Sequence, residues 1–273
     1  MKIALSKEEI SQRGKFPPER RKVIIYSVGN DLEAHGPALP PEIDSIMARA
    51  LALQFSLENG CYYAGHIPYT SDRVGEIARD WSPLYIPFEE FVQKTKDWLK
   101  WSLSKLPWKA ERIIIFIGHG GLIPLLMMEE EFTRELESKV KFGFVASVGE
   151  VKIPENIPAK DVVEKILTGA GEHAYILEHS VALALGVLDE EKLKELNQQA
   201  EKNPEEVLRN YPALAGLAGF LLFGDKDRYQ PLREAGLEFC LNDFLSRRKI
   251  EVSKELGEIL IRSALDFAKL LLL

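Results

Sequence analysis

The chain has 273 residues, 46% apolar and 28% charged, which is the balance of a folded globular protein rather than a disordered or membrane one. A net charge of −7 argues against nucleic acid as the main partner, because backbone phosphates are held by clustered Lys and Arg. No segment approaches the ~20 apolar residues of a membrane span, and the two cysteines, Cys61 and Cys240, stand far apart. Thiolate zinc sites are thereby excluded, a disulfide framework is disfavoured, and a cytoplasmic protein is expected.

The first residues form a polar arm with no apolar run of signal-peptide length. Residues 22–29 (KVIIYSVG) read as a buried strand of a parallel sheet. Residues 30–42, with three prolines, three acids and a histidine, form a loop. Asp44 is placed to cap a helix over 45–57. A second strand is expected at 60–68 and a long helix at 87–106. The clearest strand, 112–117 (RIIIFI), runs straight into Gly118-His119-Gly120-Gly121. A Glu-rich helix at 129–139 and a fourth strand at 141–148 follow.

Residues 169–186 begin as a Gly-rich loop and become a helix whose first turns hold His173, Glu178, His179 and Ser180. Further helices are expected at 189–199 and 252–273, with loop and short helix across the Gly-rich 212–238. The Leu-rich C-terminus ends an amphipathic pattern, as for a buried tail or a subunit contact. Strands alternating with helices imply one α/β domain over 1–273, a mostly parallel sheet covered on both sides. In such sheets ligands bind beyond the carboxyl ends of the strands, where the polar loops fall.

Glu33 and His35 are two apart in an extended segment, so carboxylate and imidazole project to one side. Asp44 follows one loop later, and His119 ends the neighbouring strand. Imidazole and carboxylate donors without thiolate suit a catalytic site for zinc, manganese or ferrous iron. Taken singly, Asp44 reads equally as a helix cap and the Gly-His-Gly-Gly loop as a tight turn.

Residues 28–44, VGNDLEAHGPALPPEID, resemble the signature of the creatininase family, a strand ending in Glu-x-His-Gly-Pro, then Leu-Pro and an Asp. The resemblance continues at Gly118–Gly121, the family's Gly-His-Gly-Gly, and at HAYILEHS (173–180), its His-Ala-Gly-x-x-Glu-Thr-Ser. It implies a three-layer α/β/α fold and a closed homo-oligomer. It also implies two divalent metal ions (Fe2+, Mn2+ or Zn2+), one held by Glu33, Asp44 and His119 and a second by His35 and Asp44, with Asp44 bridging. Glu178 completes the site or orients the nucleophile, and His173 passes a proton to the leaving nitrogen; a helix-start hydrogen-bond network is the alternative for this pair. The reaction so implied is hydrolysis of a non-peptide amide C–N bond in a small molecule by metal-activated water.

Departures are informative. The family's Asn residues flanking Gly-His-Gly-Gly are Ile117 and Leu122 here, and the glutamate that ligates metal in creatinine hydrolases is Gly121. The tryptophans, at 81, 98, 101 and 108, lie far in sequence from His173, where those enzymes carry a Trp-bearing flap. Both point away from creatinine. Ala38-Leu39-Pro40, and HAxxxExS followed by Gly and then Asp189-Glu-Glu-Lys-Leu, are similar to archaeal deformylases of a formamidopyrimidine ribonucleotide in riboflavin and deazaflavin synthesis. For that substrate's phosphate, Arg73 and Lys22 are positional candidates, with plain solvation the alternative for each. Another cyclic amide, a peptide, or a non-catalytic metal-binding relative are the competing readings.

Overall fold

The computed structural model describes residues 22–169 and 171–273, so the expected N-terminal arm lies outside the described residues. Four parallel strands, β1 (Val23–Val28), β2 (Tyr62–Ile67), β3 (Arg112–Ile117) and β4 (Lys139–Phe144), pair in the order β2-β1-β3-β4. Helix α1 (Ile43–Asn59) joins β1 to β2, α2 (Phe88–Leu103) joins β2 to β3, and α3 (Glu129–Leu136) precedes β4. Alternation along the strands sorts their side chains to two faces. Ile25, Ile114 and Phe116 pack with α1, whereas Ile24, Tyr26, Val28, Ile113, Ile115 and Ile117 pack with residues of α2 and α3. This is the expected sheet covered on both sides.

The chain leaves β1 towards β2 on one edge and leaves β3 towards β4 on the other. The loops after these two central strands therefore diverge, and a crevice opens at their carboxyl ends, as it does wherever strand order reverses in an open α/β sheet.

The remaining α-helices among the described residues are α4 (Lys160–Leu167), α5 (Ile176–Leu185), α6 (Glu190–Lys202), α7 (Pro204–Asn210), α8 (Leu214–Phe223), α9 (Gln230–Glu234), α10 (Glu238–Arg247) and α11 (Lys254–Ala268). Asp189 caps α6 and Ser253 caps α11 through their side chains. The stretch 212–238 is more ordered than its glycines suggest, because α8 and α9 bury Leu214, Leu217, Leu221 and Leu232. β4 spans Lys139–Phe144 rather than 141–148: Phe144 pairs with Ile117, the last residue of β3, and the Val145 amide closes the ladder on the Ile117 carbonyl at 2.9 Å. At the C-terminus Arg112 holds the carbonyls of Leu271 and Leu273, while Leu270 and Leu273 remain exposed. No described helix is long and apolar enough to cross a membrane.

Candidate active site

Asp44 does not cap α1. The helix begins at Ile43 with no side-chain cap, and the Asp44 carboxylate turns inwards from the first turn, where the partial positive charge of the helix end favours it. Gly118 makes this possible: a Cβ there would lie 2.0 Å from the Asp44 carbonyl oxygen, so only glycine lets the end of β3 meet the start of α1. Asp44 thereby reaches both histidines. Its Oδ2 lies 3.0 Å from His119 Nδ1 and its Oδ1 3.6 Å from His35 Nε2. Glu33 Oε2 stands 2.9 Å from the same His119 nitrogen and is steadied by the Asn30 amide, itself bonded to Ser82.

The tautomers follow from the carbonyls. His35 Nδ1 faces the Glu33 carbonyl at 3.1 Å, so that nitrogen donates and Nε2 is left facing Asp44 and, at 3.8 Å, Glu178 Oε2. His173 Nε2 donates to the Ala34 carbonyl at 2.9 Å, which leaves its Nδ1 bare when neutral, 3.6 Å from Glu33 Oε1. The rings of His35 and His173 lie 4.3 Å apart. Glu178 Oε2 accepts the Ala174 N–H at 2.6 Å, and Glu172 accepts the Leu177 N–H at the start of α5. His173 thus precedes α5 rather than lying in its first turn.

What holds His173 is a second segment. Ala215, Gly216 and Leu217 all adopt the left-handed backbone region, and the amides of Ala215 and Gly216 donate to the carbonyls of Ala174 and His173 at 3.1 and 2.6 Å. Left-handed backbone at Ala and Leu is strained, and here the strain accompanies a clamp on the site loop. The other two histidines stay apart from the cluster. His66 bonds Ser27 from β2, and His179 donates to the Tyr175 carbonyl inside α5.

Asp72 is a member that sequence reasoning missed. Its Oδ2 lies 3.3 Å from His119 Nε2, the nitrogen turned away from Glu33 and Asp44. A Cβ on Gly121 would strike His119 Nε2 at 2.5 Å and the Asp72 carboxylate at 2.6–2.8 Å, so Asp72 fills the space a side chain at position 121 would need. The available signal was an acid in the polar loop after β2, the same rule that drew attention to Glu33 and His119. Trp81, set aside for its sequence distance from His173, lines the same cavity and accepts the Ala34 N–H through its carbonyl. That cavity, of about 610 Å³, is lined by Glu33, Asp44, Asp72, His119, His173 and Glu178.

Charge is distributed unevenly among these groups. For His119, burial opposes protonation, but Glu33, Asp44 and Asp72 outweigh it and hold the imidazole well above its usual range. His35 is likewise opposed by burial yet raised to about 10 by Asp44 and Glu178. Burial pushes Glu33 up to about 7 against the pull of His119, while Asp44 is held down, its burial overcome by both histidines. His173 is lowered to about 4, by burial first and by repulsion from His35 second. Imidazoles and carboxylates set this close together, with incomplete hydrogen bonding, form a donor set that suits a cation. His35 Nε2, His119 Nε2 and Asp44 Oδ2 are buried without a hydrogen-bond partner among the described residues. Three donor sets each bring their atoms within 4.8 Å: Glu33, His35 and His173; Glu33, Asp72 and His119; His35, Asp44 and Glu178. The donor chemistry fits a divalent transition metal.

Residues 5–220 match the family model described as creatininase, creatinine amidohydrolase. The 2-amino-5-formylamino-6-ribosylaminopyrimidin-4(3H)-one 5'-monophosphate deformylase of Methanobrevibacter ruminantium is 28% identical over 219 residues, 80% of this chain and 77% of that protein. The deformylase of the same description from Methanobrevibacter smithii is 28% identical over 203 residues, 74% of this chain and 73% of its own. Among solved structures, creatinine amidohydrolase (creatininase) aligns with 96% of this chain and 92% of its own at 15% identity and a TM-score of 0.53. The structure described as creatininase Mn aligns with 96% and 93% at 14% identity and a TM-score of 0.52. At such identities the likeness to these two structures concerns the fold.

Proposed function

This chain belongs to the creatininase family of amidohydrolases, and from that premise we propose that it removes the formyl group from a formamidopyrimidine ribonucleotide, releasing formate and an amine. The observation that carries the reading is the meeting of Glu33, His35, Asp44 and His119, with unpartnered donor atoms, in one cavity. The substrate class comes from the relatives at 28% identity, whose described activity is this deformylation.

In this reading Glu33, Asp44 and His119 Nδ1 hold one divalent ion and His35 Nε2, Asp44 and Glu178 a second. Ions there would supply a lowered pKa for the attacking water and a Lewis acid for the formyl oxygen. Asp72 faces the far nitrogen of His119 and orients the ring, as carboxylates behind metal-ligating histidines do. His173 Nδ1 receives the proton the water loses and hands it to the nitrogen as the C–N bond breaks. An imidazole lowered to about 4 is a strong acid once protonated, which suits the second transfer. Glu178, fixed by the Ala174 amide, places negative charge where it favours protonated His173.

A cytoplasmic homo-oligomer is part of the same proposal. It rests on a chain with two cysteines and on the exposed Phe267, Leu270 and Leu273; light scattering on the purified protein reads the oligomeric state. The test of function is formate release from the formylated ribonucleotide, run anaerobically with iron or manganese after elemental analysis. Full activity after chelation, or turnover of creatinine or peptides with none of the nucleotide, sinks the reading.

A further inference from the structure

The cavity is acidic at its base and lined elsewhere mainly by apolar side chains, among them Met47, Ile123, Phe144 and Leu237. Arg73 is the only Lys or Arg among the described residues that line it. Its side chain is exposed, and its guanidinium makes no ion pair or hydrogen bond with any described residue. The backbone of Arg73 is nevertheless fixed: its amide donates to the Gly121 carbonyl at 2.9 Å, and the preceding residue, Asp72, faces His119. An unpaired cation is thus tied to the loop that carries a proposed metal ligand. Gly120, between them in that loop, faces open space, so no side chain from there fills the approach. Lys22, the other positional candidate, is removed from the site. It sits before β1, at the amino ends of the strands, and its ammonium contacts Glu111 at 2.5 Å.

We propose that Arg73 is the anion subsite of this cavity and binds the phosphomonoester of the substrate while the formamide end lies against the Glu33, His35, Asp44 and His119 cluster. The proposal rests on the deformylase reading for the identity of the whole substrate. The subsite itself rests on a guanidinium that pairs with no described residue and is the only Lys or Arg among the described residues lining the cavity. A guanidinium suits this task because its planar fork meets two phosphate oxygens at once and keeps its charge at every working pH. The arrangement also separates two jobs: the phosphate sets affinity, and the acidic base of the cavity acts on the amide.

The test compares wild type with R73Q and R73K, all metal-loaded. Calorimetry uses guanosine 5'-monophosphate against guanosine, and formate release uses the formylated ribonucleotide against its dephosphorylated nucleoside. Wild type should favour the phosphorylated member of each pair by about 10- to 100-fold, the worth of one hydrogen-bonded ion pair. In R73Q the ratio should collapse towards one through Kd and KM rather than kcat, and R73K should restore part of it. No phosphate preference in wild type, or one that survives in R73Q, overturns the proposal. If no formate is released from either substrate while the guanosine 5'-monophosphate preference is present and lost in R73Q, the anion subsite stands and the deformylase reading falls.

Discussion

Glu33, His35 and His119 follow strands locked in a parallel ladder, and Asp44 opens the helix packed against them. His173 and Glu178 belong to the helical half, on a loop whose carbonyls are gripped by left-handed backbone at Ala215 and Gly216. The two regions also set their imidazoles differently. In the sheet half, carboxylates outweigh burial and raise His35 and His119; in the helical half, burial prevails and lowers His173 and His179 to about 4. One region is built to surround positive charge, and the other to keep a proton carrier neutral. Metal retention and proton transfer should therefore come apart under mutation.

The sharpest break is expected at His119. His119→Ala should abolish formate release and lower metal affinity by more than about 100-fold, since even the outer partners of a metal ligand are worth 10–100-fold; elemental analysis after dialysis reads it. His173→Ala should keep its metal and lose about 10²–10⁴ in kcat, the usual worth of positioned acid–base catalysis. If His173→Ala emerges metal-free, the division between the halves is wrong.

Acid should destabilise the helical half. The unfolded histidine titrates near 6.5 and the folded His173 and His179 near 4, so between these values the unfolded chain binds more protons. Their contribution is whole above pH 6.5 and falls as pH drops towards 4, each by about 1.4 kcal/mol per pH unit at most. Glu33, raised to about 7, opposes one of them, favouring the fold as pH falls from 7 to 4.5. In the metal-free sheet half the sign for His35 is reversed: its stabilisation is full below 6.5 and lost as pH rises through about 10. Urea midpoints of chelated protein from pH 4 to 10 should show both limbs, and His179→Gln should flatten only the acid one. The smallest effect is expected at Ala215, held at φ 50°. Ala215→Gly should change stability by less than about 1 kcal/mol, relieved left-handed strain being offset by the entropy of glycine and the loss of a buried methyl. Hydrogen exchange at the Gly216 amide would report whether the clamp has loosened.

Much of the sheet half was legible because its signals are local. Apolar runs ending in Gly marked β1 and β3, and Glu33, His35 and His119 sit within a few residues of those ends. The position of Asp72 in a polar loop after β2 was readable but its partner was not, since its link to His119 exists only once β2 lies beside β1 and β1 beside β3. The clamp on His173 was hidden for a related reason: 212–238 carries no helical or strand period, and its left-handed residues are imposed by packing against the site loop rather than by their own preference.

By itself the sequence determined the parallel sheet, the family likeness and the residue types able to hold a metal, because periodicity and short motifs act over a few residues. Only the tertiary structure decided that Asp44 faces two histidines instead of capping its helix, that Asp72 fills the space beside Gly121, and that Arg73 rather than Lys22 lines the cavity. Those facts depend on which strand ends share a crevice and how closely backbones approach there, and such distances are fixed by packing across the whole chain.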